Sequence, residues 1–209
     1  KSIFPKGSSK SDYPSIFESA RENLINIPLL DIPVYRFESK ISLSYIEGLP
    51  YASIIHYIPE KERKATMNEQ FANMFPHAHI TLTKLRSIKN KIYFVGKKLG
   101  IGDKCIGHSL VYFEWMVHLE YVRKITRKIF AATCLLYSIK IFEDHKKDFL
   151  YKAINTLSNE FRVSYKNIIE YEFVLIYAIN MGDTVPPLII NTILAGIKST
   201  SKRRRRKLT

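Results

Sequence analysis

Apolar residues recur at helical spacing along most of the chain after Pro76. In residues 82–99 they fall three and four positions apart, which is the period of one buried helix face. The same spacing, interrupted by short turns, predicts four further helices, at residues 103–119, 124–142, 148–161 and 164–180. A sixth apolar stretch, LIINTILAGI, follows two prolines and predicts a final helix, because proline suits a first turn. The pattern predicts an all-α fold.

The third predicted helix, residues 124–142, has apolar or small residues on every side. Its segment IFAATCLLYSI carries no charge over about three turns. A helix that is apolar all round must be surrounded by neighbouring elements, and small side chains let those neighbours approach closely. We therefore predict that this helix lies at the centre of the others.

The chain before residue 77 has a different character. Four prolines separate short apolar runs there: Pro28, Pro33, Pro50 and Pro59. Proline at this density argues against long helices, so we expect extended segments or one short helix in residues 27–58. Residues 27–76 are predicted to form an irregular arm that packs on the helices. Residues 1–26, which are rich in Ser, Lys and Pro, are predicted to be a flexible basic segment.

Composition and charge narrow the class of protein. The chain has 209 residues, 46% of them hydrophobic and 25% charged, which is typical of a globular domain with a core. Cys105 and Cys134 predict free thiols in a reducing compartment. No apolar run reaches the roughly 18 residues of a membrane span, and the N-terminal stretch lacks the apolar region of a secretory signal. We expect the cytoplasm or the nucleus, and no membrane partner.

Half of the net charge of +14 lies in the last twelve residues, where seven basic side chains fall between 198 and 207. A block of like charges is usually a solvated tail. The same block suits nuclear import or loose contact with nucleic-acid phosphates, and these three interpretations stay open. The block consists of Lys202, Arg203, Arg204, Arg205, Arg206 and Lys207.

No pattern of catalytic residues stands out. The chain has no glycine-rich phosphate loop, no GxSxG segment and no suggestive carboxylate pair. Cys105 and His108 are spaced like metal ligands, as are His77 and His79, but zinc normally needs four ligands in two close pairs. His77 and His79, just before the first predicted helix, are expected to cap or pack. We predict no enzyme activity, no cofactor and no metal.

Several segments match a family pattern. MNEQFANMFPHAHITLTKLRSIKNKI resembles MNExFxxxFPHxxLTLSKIRSLKxxM of the Cables family, cyclin-box proteins named as substrates of a cyclin-dependent kinase and Abl. LVYFEWMVHLEYVRKITRKIFAATCLLYSIKI and NEFRVSYKNIIEYEFVLIYAI are similar to later segments of that family. The likeness covers roughly residues 50–182. It implies a single five-helix cyclin box over residues 77–182, followed by a C-terminal helix and basic tail over 183–209.

The resemblance implies a partner-binding pair. In cyclins a Lys ends the third helix and a Glu lies in the fifth, and together they hold the αC helix of a kinase. Lys140, at the end of AATCLLYSIK, and Glu172, in YEFVLIYAI, stand at those positions. The usual range for losing one member of a buried charged contact suggests that replacing either would weaken kinase binding by about 2–5 kcal/mol.

A second pair implied by the resemblance is structural. Cyclins have an Arg in the first helix that pairs with an acid in the second, and Arg86 and Glu114 occupy these positions. Such an ion pair would fix the register of the two helices. The chain departs from the cyclin pattern nearby, because Ile92 replaces a Trp and Lys89 stands in the patch that docks substrate peptides. Peptide docking there is not implied.

The function implied by the resemblance is that of a cyclin-like regulatory or adaptor protein in cell-cycle control. Its expected partner is a cyclin-dependent kinase, with an Abl-type tyrosine kinase as a second candidate, in the nucleus and cytoplasm. Two alternatives stay open. One is a nucleic-acid-binding cyclin fold like those of general transcription factors, although no second repeat or zinc ribbon accompanies it. The other is a scaffold that binds no kinase.

Overall fold

The computed structural model describes residues 29–31, 41–46, 49–55, 59–143, 147–179 and 185–205. These residues form one β-hairpin and seven helices. The elements are β1 Ile41–Ile46, β2 Leu49–Ile55, α1 Glu60–Met74, α2 Leu82–Lys98, α3 Asp103–His118, α4 Arg127–Phe142, α5 Lys147–Phe161, α6 Tyr165–Ile179 and α7 Pro187–Arg205. The helices predicted after residue 76 are confirmed, and each bound of α2 to α6 lies within three residues of its prediction.

The arm is more regular than the prolines suggested. β1 and β2 pair antiparallel, with Ile41 opposite Ile55, in agreement with the extended segments expected there. Helix α1 was not predicted, and the expectation of an irregular arm over residues 27–76 is corrected here. Only Phe71 of α1 is buried, so the apolar spacing that marks an amphipathic helix is missing. Acidic residues in the first turn and an ion pair between Lys64 and Glu60, 2.8 Å long, favour the helix instead.

Helix α4 lies at the centre of the helices, as predicted. Its residues 130–139 are all buried, and it packs against α2, α3, α5 and α6. The Thr133 hydroxyl donates a hydrogen bond to the carbonyl oxygen of Ile168 on α6, at 3.3 Å. A helix in this position needs no polar face, which is why its sequence is apolar all round.

Helix α4 begins at Arg127, three residues later than predicted, because the residues before it form a turn. The hydroxyl oxygen of Thr126 accepts a hydrogen bond from the backbone N–H of Arg123 at 2.9 Å. The same hydroxyl donates to the carbonyl oxygen of Tyr121 at 2.8 Å. These two bonds hold residues 121–126 outside the helix.

Helix α7 packs closely on α3. A Cβ atom at Gly107 would lie 2.3 Å from Cγ2 of Ile190, so only glycine allows this approach. The helix continues to Arg205, and the basic residues 202–205 therefore belong to it rather than to a separate tail. Arg206 and Lys207, like the segment 1–26, lie outside the described residues. Neither α7 nor another described helix has the length and hydrophobicity needed to cross a membrane.

Candidate protein-interaction site

Lys140 and Glu172 form an ion pair between α4 and α6. The Lys140 Nζ donates hydrogen bonds to both carboxylate oxygens of Glu172, at 2.8 and 2.7 Å. The Glu172 side chain is 8% exposed, whereas that of Lys140 is 38% exposed. Lys140 lies in the last turn of α4, near the negative end of the helix dipole. The pair thus joins a buried carboxylate to an amine that solvent can reach.

The surroundings of Glu172 are partly apolar. Tyr137, one turn before Lys140 on α4, is 6% exposed. Burial raises the pKa of Tyr137, and the negative charge of Glu172 raises it further, so this phenol stays protonated at neutral pH. The single charge of Glu172 is balanced by Lys140, which leaves the pair neutral as a unit.

Exposed apolar side chains accompany this ion pair. Ile169, Phe173 and Tyr177 follow one another at four-residue intervals on α6, and they are 38%, 72% and 54% exposed. Side chains at this spacing lie on one helix face. Ile141, next to Lys140 on α4, is 49% exposed. We call these four residues the apolar stripe. An exposed apolar group of this kind is typical of a surface that another protein covers.

The sequence pattern did not separate the stripe from the core. In the sequence of α6, apolar residues occur on every side of the helix. Two of them, Ile168 and Leu175, are completely buried. Ile169 and Phe173 stand beside them in the sequence but face outward. The sequence of α6 contains more apolar residues than one buried face can hold, and this excess was the signal that some of them would be exposed.

The predicted ion pair between Arg86 and Glu114 is wrong as a direct contact. The Arg86 Nε donates instead to Oδ1 of Asp31, at 2.7 Å, and Asp31 comes from the arm. Glu114 accepts from the Nζ of Lys89, at 2.5 Å, and Lys89 Nζ also lies 3.6 Å from Asp31 Oδ2. Both predicted residues therefore belong to one network of four charged side chains. The resemblance to cyclins could not reveal it, because Asp31 lies before the segments that match and Lys89 was assigned to the docking patch.

The network is buried where the cyclin pattern has an exposed patch. The side chains of Lys89 and Glu114 are 3% and 2% exposed, and Ile92 is completely buried. Leu30, from the arm, is also completely buried, and its backbone N–H donates to Oε2 of Glu114 at 2.9 Å. The face of α2 that carries Lys89 is thus covered by the chain itself.

Both cysteines and three of the described histidines, His77, His108 and His118, pack against other side chains, whereas His79 is exposed and lies 3.6 Å from Glu120. His77 Nε2 lies 3.1 Å from His118 Nδ1, and His108 stacks on Phe142 with ring centroids 3.8 Å apart. Burial lowers the pKa of His108, which favours a neutral ring. Burial raises the pKa of Cys105 to about 12, so this thiol is a poor nucleophile at neutral pH. The described residues contain no group of three or more side chains suited to hold a metal ion.

Curated relatives match nearly two thirds of the chain. Over 134 residues, 64% of this chain, the sequence is 31% identical to the mouse protein named CDK5 and ABL1 enzyme substrate 2 and 30% identical to its human namesake. Human CDK5 and ABL1 enzyme substrate 1 is 30% identical over 135 residues. The chain spans only 28%, 28% and 21% of the lengths of these three proteins. No family model and no solved structure matches the chain.

Proposed function

From the chain's relationship to the Cables family, whose members carry the names just given, we propose that it is a non-catalytic, cyclin-like regulatory or adaptor protein that binds a kinase. Helices α2 to α6 would be the five helices of a single cyclin box. The central position of α4 among α2, α3, α5 and α6 supports this assignment. The surface formed by Lys140, Glu172 and the apolar stripe would be the kinase-binding face.

The proposed binding is positional rather than chemical. An active kinase needs the Glu of its αC helix paired with a Lys of its third strand. A partner that grips αC stabilises that arrangement. The apolar stripe offers the area that such a helix would bury, and the Lys140 ammonium can donate to backbone carbonyls at its end. The observation that carries the proposal is the ion pair of Lys140 and Glu172 beside the exposed ring of Phe173.

We expect Glu172→Ala to weaken the binding of a cyclin-dependent kinase about 30-fold, or about 2 kcal/mol. The change frees Lys140 to swing into solvent and removes the anchor that fixes its position. Because Lys140 is already 38% exposed, no fully buried charge is left behind, and the fold should persist. Isothermal titration of the full chain with CDK5, the kinase in the relatives' names, would measure the loss.

Two further variants sharpen this test. Glu160→Ala breaks a comparable pair, with Lys98 at 2.6 Å, on α5 and α2, and should leave kinase affinity unchanged. Phe173→Ser removes the most exposed ring of the stripe, so it should weaken binding without affecting folding. Equal affinities for Glu172→Ala, Phe173→Ser and the unsubstituted chain would contradict the proposed face.

An Abl-type tyrosine kinase is the second partner that we propose. The relatives are named as substrates of such a kinase. Among the tyrosines of helices α1 to α7, Tyr151 and Tyr165 are the most exposed, at 70% and 61%. Phosphopeptide mapping after treatment with an Abl kinase domain should find phosphate on one of them. Phosphate on neither would contradict the proposal that an Abl-type kinase modifies these two tyrosines.

The alternative to kinase binding is that the chain binds nucleic acid. The basic residues at the end of α7 favour it, but they favour nuclear import equally. We propose residence in both nucleus and cytoplasm. Replacing Lys202, Arg203 and Arg204 with Ala should shift a fluorescent fusion towards the cytoplasm, and an unchanged distribution would exclude import through this block. Binding to DNA would fall steeply with salt, unlike a largely apolar kinase contact.

A further inference from the structure

Tyr177 is the one member of the apolar stripe whose side chain carries a hydroxyl group. It lies in the last turn of α6 and is 54% exposed. The neighbouring Ala178 and Ile179 are buried, so the end of α6 is anchored in the core while Tyr177 faces outward. Tyr171, earlier on the same helix, is partly buried and has its ring against that of Phe130. Solvent therefore reaches the phenol at the end of the helix more easily than the one in its middle.

The surroundings of Tyr177 on α6 disfavour an added negative charge. From Phe173 to Ile179 the helix contains no lysine or arginine. Glu170 lies seven positions before Tyr177, which places its carboxylate on the same side of the helix. The last turn of a helix is also the negative end of the helix dipole. An anion at Tyr177 would thus meet two repulsive fields and no cation from this part of the helix.

The ion pair of the kinase-binding face has no spare positive charge either. The Lys140 ammonium already donates to both carboxylate oxygens of Glu172, at 2.8 and 2.7 Å. An anion that drew Lys140 away would leave the carboxylate of Glu172, 8% exposed, without its partner. Whether Lys140 stays or moves, an anion on the apolar stripe damages the face.

We propose that Tyr177 is a phosphorylation site for a tyrosine kinase and that its phosphate turns off the kinase-binding face. The tyrosine kinase transfers the γ-phosphoryl group of ATP to the phenol oxygen. A bond from phosphorus to Oη forms, the bond to the β-phosphate oxygen breaks, ADP leaves and the phenol proton passes to a base of the tyrosine kinase. The product carries a charge of about −1.5 to −2, which is costly to bury in an apolar contact. This inference rests on the proposed kinase-binding face.

Binding and modification would exclude each other. A cyclin-dependent kinase on the apolar stripe covers Tyr177, and phosphate on Tyr177 repels that kinase, so each event opposes the other by the same free energy. Tyr151 lies on α5, outside the kinase-binding face, and is 70% exposed. Its modification should be independent of the bound kinase. This makes Tyr151 an internal control for shielding.

The test compares the full chain with Tyr177→Phe, a variant that keeps the ring and loses the phosphate acceptor. Both are treated with an Abl kinase domain and Mg-ATP, the sites are located by mass spectrometry, and affinity for CDK5 is measured by isothermal titration. Treatment should weaken binding of the unsubstituted chain roughly tenfold or more, and that of Tyr177→Phe by less than about twofold. Saturating CDK5, added before the Abl kinase domain, should slow the appearance of phosphate on Tyr177 but not on Tyr151.

Several results would overturn this proposal. They are the absence of phosphate from Tyr177 after treatment, an equal loss of affinity in both chains, and a loss that accompanies a collapse of the helical circular dichroism signal. Full affinity for CDK5 with phosphate on Tyr177 would overturn the switch and leave the kinase-binding face standing. If the untreated chain does not bind CDK5, the kinase-binding face is wrong and the switch fails with it.

Discussion

Glu114→Ala is expected to lower the free energy of unfolding by about 3–5 kcal/mol, the usual cost of breaking a buried ion pair from one side. The change leaves the ammonium of Lys89, 3% exposed, without its 2.5 Å partner. It also deprives the Leu30 N–H of its acceptor. Asp31, at 3.6 Å from Lys89, is too distant to replace the lost hydrogen bond. Urea unfolding followed by circular dichroism would measure the loss as a lower midpoint with an unchanged slope.

The control is an exposed ion pair on helix α1. Lys64→Ala breaks the pair with Glu60, in which both side chains are more than half exposed, and should cost less than about 1 kcal/mol. A second comparison removes both buried charges at once. Lys89→Met with Glu114→Leu should recover much of the loss, because apolar side chains of similar size avoid a stranded charge. A cost below about 1 kcal/mol for Glu114→Ala would show that Lys89 reaches solvent when its partner is lost.

The positions of the helices could be predicted from sequence because burial imposes a period on it. In α2, Leu85, Ile88 and Ile92 face the core at the spacing that predicted the helix. Helix α1 shows no such period, since Phe71 is its single buried residue. Helix α6 fails in the opposite way. Its own apolar residues lie on all of its faces, so the pattern could not distinguish the buried Ile168 from the exposed Phe173.

Of the two residue pairs singled out in the sequence, one is in direct contact and the other is not, for a physical reason. Lys140 and Glu172 are both supplied by helices whose packing the motifs define, and they lie in contact. Arg86 and Glu114 are also on packed helices, but a third element intervenes. Asp31 lies 55 positions before Arg86 in the sequence, and the helical pattern says nothing about where an arm residue will dock. Long-range contacts of irregular segments are set by charge and shape, not by periodicity.

The proposed kinase-binding face depends on α6 being held against α4, and Phe130 takes part in that contact. The ring of Phe130, near the start of α4, lies 5.2 Å from that of Tyr171 on α6, edge to face. It also lies 6.2 Å from the ring of Tyr121, in the connection before α4. Pairs of this geometry add to the energy of burial. Phe130 is 1% exposed, so the space that it fills has no access to water.

Phe130→Ala is expected to lower the free energy of unfolding by about 3–5 kcal/mol, because the transfer energy of the ring is lost and a cavity remains between α4 and α6. Guanidinium unfolding would measure the loss, and Phe130→Leu should cost clearly less because it leaves a smaller void. The matched control is Phe173→Ala, which removes an equal volume from a side chain that is 72% exposed and should change stability by at most about 0.5 kcal/mol. Equal costs for the two alanine variants would mean that α6 is not anchored through Phe130. In that case, the face that carries Glu172 would have to be positioned by the contact between Thr133 and Ile168 and by the Lys140 pair.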